Sequence, residues 1–296
     1  MNRTDSEILK KIDADRDAVS VDINPHRFSK LGERLLIFTA GVAFAVFVWW
    51  AVSWYYNTFI MDSMSSGLSF PDPISSFQRL IEMMNGDYLI IGSSIFKHTG
   101  DSLLRWVQGF TIAFVGGTVL GIALSVSPTF YRFGIVPVSL LQMIPGMAWF
   151  PVTILLFGFS NISAVYIIAI TVIAPITINV CNGLRRVPEV NKRVANMCGR
   201  TITERYLEVM IPFALLDILA GLRIGMANGW RVLISAEMVV GLSIGLGYSI
   251  KFTSTHIDYV TSFACIIMIC IIGIIIDKVI LANLELYGRK KLGFEE

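Results

Sequence analysis

The chain has 296 residues, 54% of them hydrophobic and 16% charged, whereas a soluble domain carries about 25% charged residues. With a mean hydropathy of +0.67, an ordinary soluble globular domain is excluded. Net charge is only +2, and Lys and Arg are gathered in a few stretches, a pattern that gives no basis for nucleic-acid binding but does orient a chain in a bilayer.

A helix needs about 20 mainly apolar residues to cross a bilayer. Charge-poor stretches of that length fall at 35–54, 104–126, 135–157, 162–180, 213–240 and 260–281. The expectation is an all-α, polytopic membrane protein with about six transmembrane helices. Residues 1–34 form a mixed-charge leader, followed by a first transmembrane anchor over 35–56. It reads as an anchor and not a cleaved signal, because Trp49, Trp50, Trp54, Tyr55 and Tyr56 stand where a small-residue cleavage site would lie.

Residues 57–103 form an outer, periplasmic segment. Within it Asp72-Pro73 reads as an N-cap followed by proline at N1, and Ile74, Phe77, Leu80, Ile81 and Met84 recur at helical spacing before Gly86. This predicts a short amphipathic helix, either lying on the membrane interface or packed as an ordinary loop helix. The core, 104–282, carries glycines at four-residue spacing, Gly117 and Gly121 in the second span and Gly221, Gly225 and Gly229 in the fifth. Such faces let helix backbones approach closely in lipid, within the chain or between two copies.

In the third span Pro137, Pro145 and Pro151 free backbone groups that must be buried in protein or face a watery cavity. That favours a path-lining helix, on which Gln142 and Trp149, seven apart on the same face, are polar and aromatic gate candidates, with packing of Trp149 against lipid or a partner helix the alternative. Between the fourth and fifth spans lies a basic loop, 181–212. Pro188 suits N1 of a helix with Glu189 in its first turn, Gly199 ends that helix, and Thr201-Ile-Thr-Glu204 is a capping box that starts another. This predicts a rigid helix, glycine turn, helix. The leader, this loop and the tail, 283–296, carry the positive charge, so both termini and the loop are expected on the cytoplasmic side of a bacterial inner membrane.

The cysteines, Cys181, Cys198, Cys265 and Cys270, lie in or beside apolar stretches without C-x-x-C spacing, and read as free, packed thiols. His26, His98 and His256 are scattered outside the apolar runs. No metal site is expected. There is also no G-x-x-x-x-G-K-[ST] phosphate loop, no paired carboxylates or Ser-His-Asp set that would suit an enzyme, and no inverted repeat, filter sequence or run of intramembrane acids that would suit a stand-alone secondary transporter or channel.

The loop sequence from Arg193 to Pro212, with Ala195, Gly199, Val209, Ile211 and Pro212 in place, resembles the EAA signature of ABC importer permeases. Arg193 stands at the glutamate position of the signature and Val194 at its first alanine. From about Phe70 onward the chain is most similar to the nitrate, taurine, sulfonate and bicarbonate branch. Ser69-Phe-Pro-Asp-Pro73, Ile144-Pro-Gly-Met-Ala-Trp-Phe-Pro151 and Gly221-Leu-Arg-Ile-Gly225 with Ala236-Glu-Met238 carry that likeness, while Gln142-Met143 replaces the R-P pair often found before I-P.

The resemblance implies a type I ABC importer-like transmembrane domain with no catalytic site or cofactor of its own. It implies a separate ATPase subunit, binding ATP and Mg, that docks on the loop through Arg193, Ala195, Gly199, Thr201, Glu204 and Pro212. It further implies a second permease copy and a periplasmic or lipid-anchored solute-binding protein. The solute would be a small anion such as nitrate, taurine or another sulfonate, or bicarbonate; a neutral metabolite of the thiamine-precursor type is the alternative. Candidates to line the translocation path are Gln142, Trp149, Asn228, Arg231, Ser235 and Glu237. An ionisable group at membrane depth lines a cavity or pairs, so Arg231 is expected either to meet the solute or to pair with Glu237 or with a neighbouring helix's carbonyls.

Overall fold

The computed structural model describes residues 25–60, 69–283, 286 and 288. Most of the leader and the basic end of the tail lie outside the described residues. Among those described, regular structure is helical apart from one isolated bridge between Ile90 and Ser93. Contacts divide the chain into two units, Met1–Pro73 and Ile74–Glu296.

In the first unit, α1 (Pro25–Tyr55) runs into a π-helical turn, Tyr56–Ile60. Only 6% of its most apolar window is buried, and an apolar helix with exposed side chains needs lipid around it. Its end is pinned by side chains that hold the returning backbone. Asn57 accepts from the Phe70 N–H at 2.8 Å and donates to the Phe70 carbonyl at 2.9 Å, and Trp49 Nε1 donates to the Pro71 carbonyl at 3.0 Å.

The second unit begins within α2 (Pro73–Asn85) and continues through α3 (Ile95–Val126), α4 (Pro128–Met143), α5 (Phe150–Phe157), α6 (Asn161–Arg186), α7 (Glu189–Met197), α8 (Ile202–Arg205), α9 (Ile211–Val240), α10 (Leu246–Thr255) and α11 (Tyr259–Ile275). Helix α2 starts at the proline and stops before Gly86, at φ +88°. It has two apolar sides: Leu80 and Met83 are buried in the core, while Ile74, Phe77, Ile81 and Met84 are exposed.

Among the described residues, five helical segments are long and apolar enough to cross a membrane, or six if the bent pair α4 and α5 is one span. That pair corrects the sequence reading, which treats 135–157 as one helix. A bend of 98° separates the two. Pro145 forces Ile144 out of the helical region, to φ −77° and ψ 122°, and a short 3₁₀ turn, Gly146–Trp149, leads into α5 with Pro151 in its first turn, where a missing N–H costs nothing. Pro137, by contrast, is accommodated inside α4.

Helix α6 is the centre of the unit, with 61% of its apolar window buried. The glycine stripes explain why. A Cβ on Gly121 of α3 would sit 2.7 Å from Val180, and one on Gly221 of α9 would sit 2.6 Å from Asn179. Gly117 and Gly225 both face Ile176. Both stripes therefore close on α6 within one chain, meeting at Ile176, and the close approach supplies the dispersion contact that replaces the hydrophobic effect in lipid.

Candidate functional site

The loop between α6 and α9 folds as a compact bracket. Pro188 takes the cap position rather than N1, one residue earlier than expected, and α7 starts at Glu189. Lys192 bonds to Glu189 at 2.8 Å, and that bond and its charge hold the Glu189 carboxyl below the usual carboxylate range. Gly199 ends α7 at φ +71°, the left-handed region that suits glycine. Around it the Gly199 N–H reaches the Asn196 carbonyl at 3.0 Å and the Arg200 N–H reaches the Ala195 carbonyl at 3.2 Å, the paired closure of a Schellman turn.

Thr201 and Glu204 then form the expected capping box. A further contact fastens α7 to the next helix, Arg205 to Asn196 at 2.9 Å, and Arg200 in the turn pairs with Glu208 at 3.0 Å. From Ile202 the chain continues through a π-helical turn, Tyr206–Met210, and past Pro212 into α9, so that Ile202–Val240 is one 39-residue helical segment. Proline lacks the N–H that would continue the ladder, and the π turn with its one extra residue sits just before it. Ala195 is buried against the bracket, whereas Val190, Arg193, Val194 and Met197 are exposed. Val190, Val194 and Met197 fall at i, i+4 and i+7 on one helix face, and Met197 is 87% exposed.

The path candidates divide. Asn228, Arg231 and Ser235 are brought together on α9. Arg231 Nη2 donates to Asn228 Oδ1 at 3.0 Å, Arg231 Nε to the Ala227 carbonyl at 3.2 Å, and Ser235 Oγ to the Arg231 carbonyl at 3.3 Å. All these bonds stay within α9 and Arg231 is exposed, so among the described residues it pairs neither with Glu237 nor with a neighbouring helix. Gln142 is exposed at the end of α4 and Trp149 is half-buried in the turn beyond the bend. They do not share a helix face, because the bend lies between them. That bend is seated through Gly146 between Thr171 of α6 and Val232 of α9, one residue from Arg231.

Glu237 is fully buried and belongs to a different constellation. Its carboxylate accepts from Arg105 Nη1 at 2.7 Å, from Ser102 Oγ at 2.8 Å and from the Gly247 N–H at 2.9 Å. Ser102 Oγ in turn accepts the Leu246 N–H at 2.9 Å, and His98 Nδ1 accepts the Gly245 N–H at 3.1 Å. Three successive amides entering α10 are thus held by side chains of α3 and α9. Arg105 Nε also donates to Asn161 Oδ1 at 2.8 Å, at the first residue of α6.

Sequence reasoning missed this set. His98, placed outside the apolar cores, is fully buried, with its Nε2 against the Ile90 carbonyl at 3.1 Å. The available signal was the i, i+4, i+7 spacing of His98, Ser102 and Arg105, together with charges of opposite sign, Arg105 and Glu237, in two different spans. Among the cysteines Cys181 and Cys265 are buried, but Cys198 and Cys270 are exposed and not packed. No group of three His, Cys, Asp or Glu side chains is placed to hold a metal ion among the described residues.

A multi-pass helical membrane protein with an exposed bracket between two spans, and a polar stripe on the helix leaving that bracket, has the form of a transport subunit. The family model of the binding-protein-dependent transport system inner membrane component matches residues 113–283, and the chain belongs to that family, the permeases of ABC importers. It is 30% identical to the bicarbonate transport system permease CmpB of Synechococcus elongatus, over 73% of this chain and 80% of that one. It is 26% identical to the taurine transport system permease TauC of Escherichia coli, over 83% and 86%. Permeases named for nitrate and for aliphatic sulfonates match as well, as the sequence resemblance implied. The fold is that of a chain in the inward-facing MetNI methionine ABC transporter, with a TM-score of 0.53 and 18% identity, covering 68% of this chain and 95% of that one.

Proposed function

We propose that this permease works as one of a pair of copies that together form the path, with a separate ATPase subunit docked on the α7–Gly199–α8 bracket and a solute-binding protein delivering solute from outside. The observation that carries this reading is the exposed apolar face of Val190, Val194 and Met197 on a bracket fastened at both ends. An apolar face presented to water by an ordered element marks a partner surface. The partner would be the chain that binds ATP and Mg, since no phosphate loop occurs in this sequence.

The bracket and both termini lie in the cytoplasm in this reading, in accord with the clustering of Lys and Arg there. Arg231, exposed on a membrane-spanning helix and bonded among the described residues only within it, suits a water-filled path and an anionic solute, because a guanidinium facing hydrocarbon costs about 2.5 to 3.5 kcal/mol on insertion scales. A small anion of the nitrate, sulfonate or bicarbonate kind is the solute class that fits. The purified chain is expected to hydrolyse no ATP by itself, and vesicles holding it with its ATPase and binding protein are expected to take up solute only when ATP is supplied. Uptake by the permease alone, driven by an ion gradient, would contradict the proposal.

A further inference from the structure

The start of α4 and the end of α6 carry positive charge that the chain does not neutralise. Arg186, the last residue of α6, pairs with Asp217 of α9 at 2.8 Å. Its neighbour Arg185 is exposed and lays its guanidinium 3.8 Å from the centre of the Tyr131 ring, in the first turns of α4. Arg132, the next residue of α4, is exposed as well. Among the described residues neither Arg185 nor Arg132 takes part in an ion pair. The sequence places no Asp or Glu in 126–143 or 181–186.

The surroundings fix the depth of these two charges. Ser127 closes α3 and caps α4, so the chain turns here between two membrane helices. Phe133, Val136 and Leu140 then recur at i, i+3 and i+7 along α4, all exposed, Phe133 by 83%. An exposed apolar stripe of this kind belongs in hydrocarbon. Arg132 stands at its upper edge, and an arginine in that place lays its stem along apolar surface and extends its charge to the headgroup level.

A guanidinium at headgroup depth is matched to a phosphodiester, whose oxygens accept its paired N–H groups. Arg185 is held against the Tyr131 face, a contact that orients the guanidinium plane while its N–H edge points outward. Arg132 projects about 100° further round α4 than Tyr131, so the two arginines flank one another at the same end of the helix. We propose that this junction of α4 with the end of α6 seats an anionic phospholipid, its phosphodiester held by Arg132 and Arg185 and its acyl chains lying along Phe133, Val136 and Leu140. The seat selects against headgroups carrying an ammonium, because that charge would approach two guanidiniums with the nearby Asp217 already committed to Arg186. The inference rests on the chain spanning a membrane and is independent of the importer reading; in the proposed orientation the lipid belongs to the inner leaflet.

The test titrates the purified full-length permease in detergent with phosphatidylglycerol or phosphatidylcholine of identical acyl chains, and counts bound lipid by native mass spectrometry. Phosphatidylglycerol is expected to half-saturate its first site at roughly a tenfold lower concentration, the scale of attraction between a basic pair and an anionic headgroup. Arg132→Gln combined with Arg185→Gln should bring the two lipids to within about twofold of each other. Lys251→Gln, which removes an exposed charge from α10, should leave the preference intact. Should the double substitution fail to fold, Arg132→Gln alone, at an exposed position outside any described ion pair, is expected to reduce the preference to about threefold.

Equal binding of the two lipids by the parent protein, a preference undiminished in the arginine variants, or one lost as fully in Lys251→Gln, would each overturn the site. Glycerol 1-phosphate at millimolar concentration should not displace phosphatidylglycerol, because it lacks the chains that lie on α4. Displacement would assign the two arginines to a free phosphate ester and contradict the lipid seat.

Discussion

Replacing Glu237 by alanine is expected to destabilise the membrane domain by about 3 to 5 kcal/mol, the usual cost of stranding a buried charge partner. The loss has three parts. Arg105 keeps a guanidinium that is nearly buried and has lost its counter-charge; Ser102 loses its acceptor; and the Gly247 N–H, at the entry to α10, loses its own. A lower melting temperature of the purified permease would follow, with α10 exchanging amide hydrogens faster than α6. Glu237→Gln should be milder, since it keeps the shape and one acceptor oxygen. Arg105→Met combined with Glu237→Met should recover much of the loss, because removing both charges leaves no ion unpaired. A melting temperature unchanged in Glu237→Ala would show that the network contributes nothing to holding the loop.

The second large effect is functional rather than thermodynamic. Gly199→Val should leave the protein folded and still abolish transport. No atom lies within 4 Å of where a Cβ would stand at Gly199, so the substitution meets no steric wall within the chain. Its φ of +71° is the difficulty, and a β-branched residue there loses roughly 1 to 2 kcal/mol unless the backbone turns away. The loop relieves that strain by re-angling α7 against α8, which moves Val190, Val194 and Met197 out of register with their partner. ATPase stoichiometry in the purified complex should fall and uptake should be lost, while the melting temperature stays close to that of the parent. Gly199→Asn is the control, because asparagine tolerates the left-handed region and should retain much of the uptake. Thr201→Ala removes one cap for about 1 kcal/mol and should transport normally. Full uptake by Gly199→Val would mean that the angle of this bracket does not matter.

The contrast between these two regions explains what the sequence discloses. Gly199, Thr201 and Glu204 are legible because their chemistry is local: a left-handed cap and a capping box close within a few residues, and the signal sits in consecutive letters. The glycine stripes are half legible. Four-residue spacing identifies a close-packing face, but only the fold says that α3 and α9 both press on α6 instead of on a second copy.

The break in the third span was signalled by Pro145 and hidden by the run of apolar residues around it, since hydropathy is blind to direction and a 98° bend leaves composition unchanged. The network around Glu237 was hidden for another reason. Arg105 and Ser102 reach it across 132 and 135 residues, and no local pattern pairs one buried charge with another that far away. Arg231 lay nearer in sequence but points off another side of α9, six residues back and far round the helix.

In the proposed mechanism the bracket between α6 and α9 is where the ATPase subunit meets this permease and moves the 39-residue segment beginning at Ile202. The most direct measurement places a photo-crosslinking amino acid at Met197, on the exposed face of α7, and for comparison at Leu155, equally exposed but in the membrane-embedded α5. Illumination of the complex in membranes is expected to join the ATPase subunit to position 197 and not to position 155, and ATP with a trapping inhibitor should change the yield at 197. Crosslinking of the ATPase subunit at neither position, or at 155 alone, would contradict it.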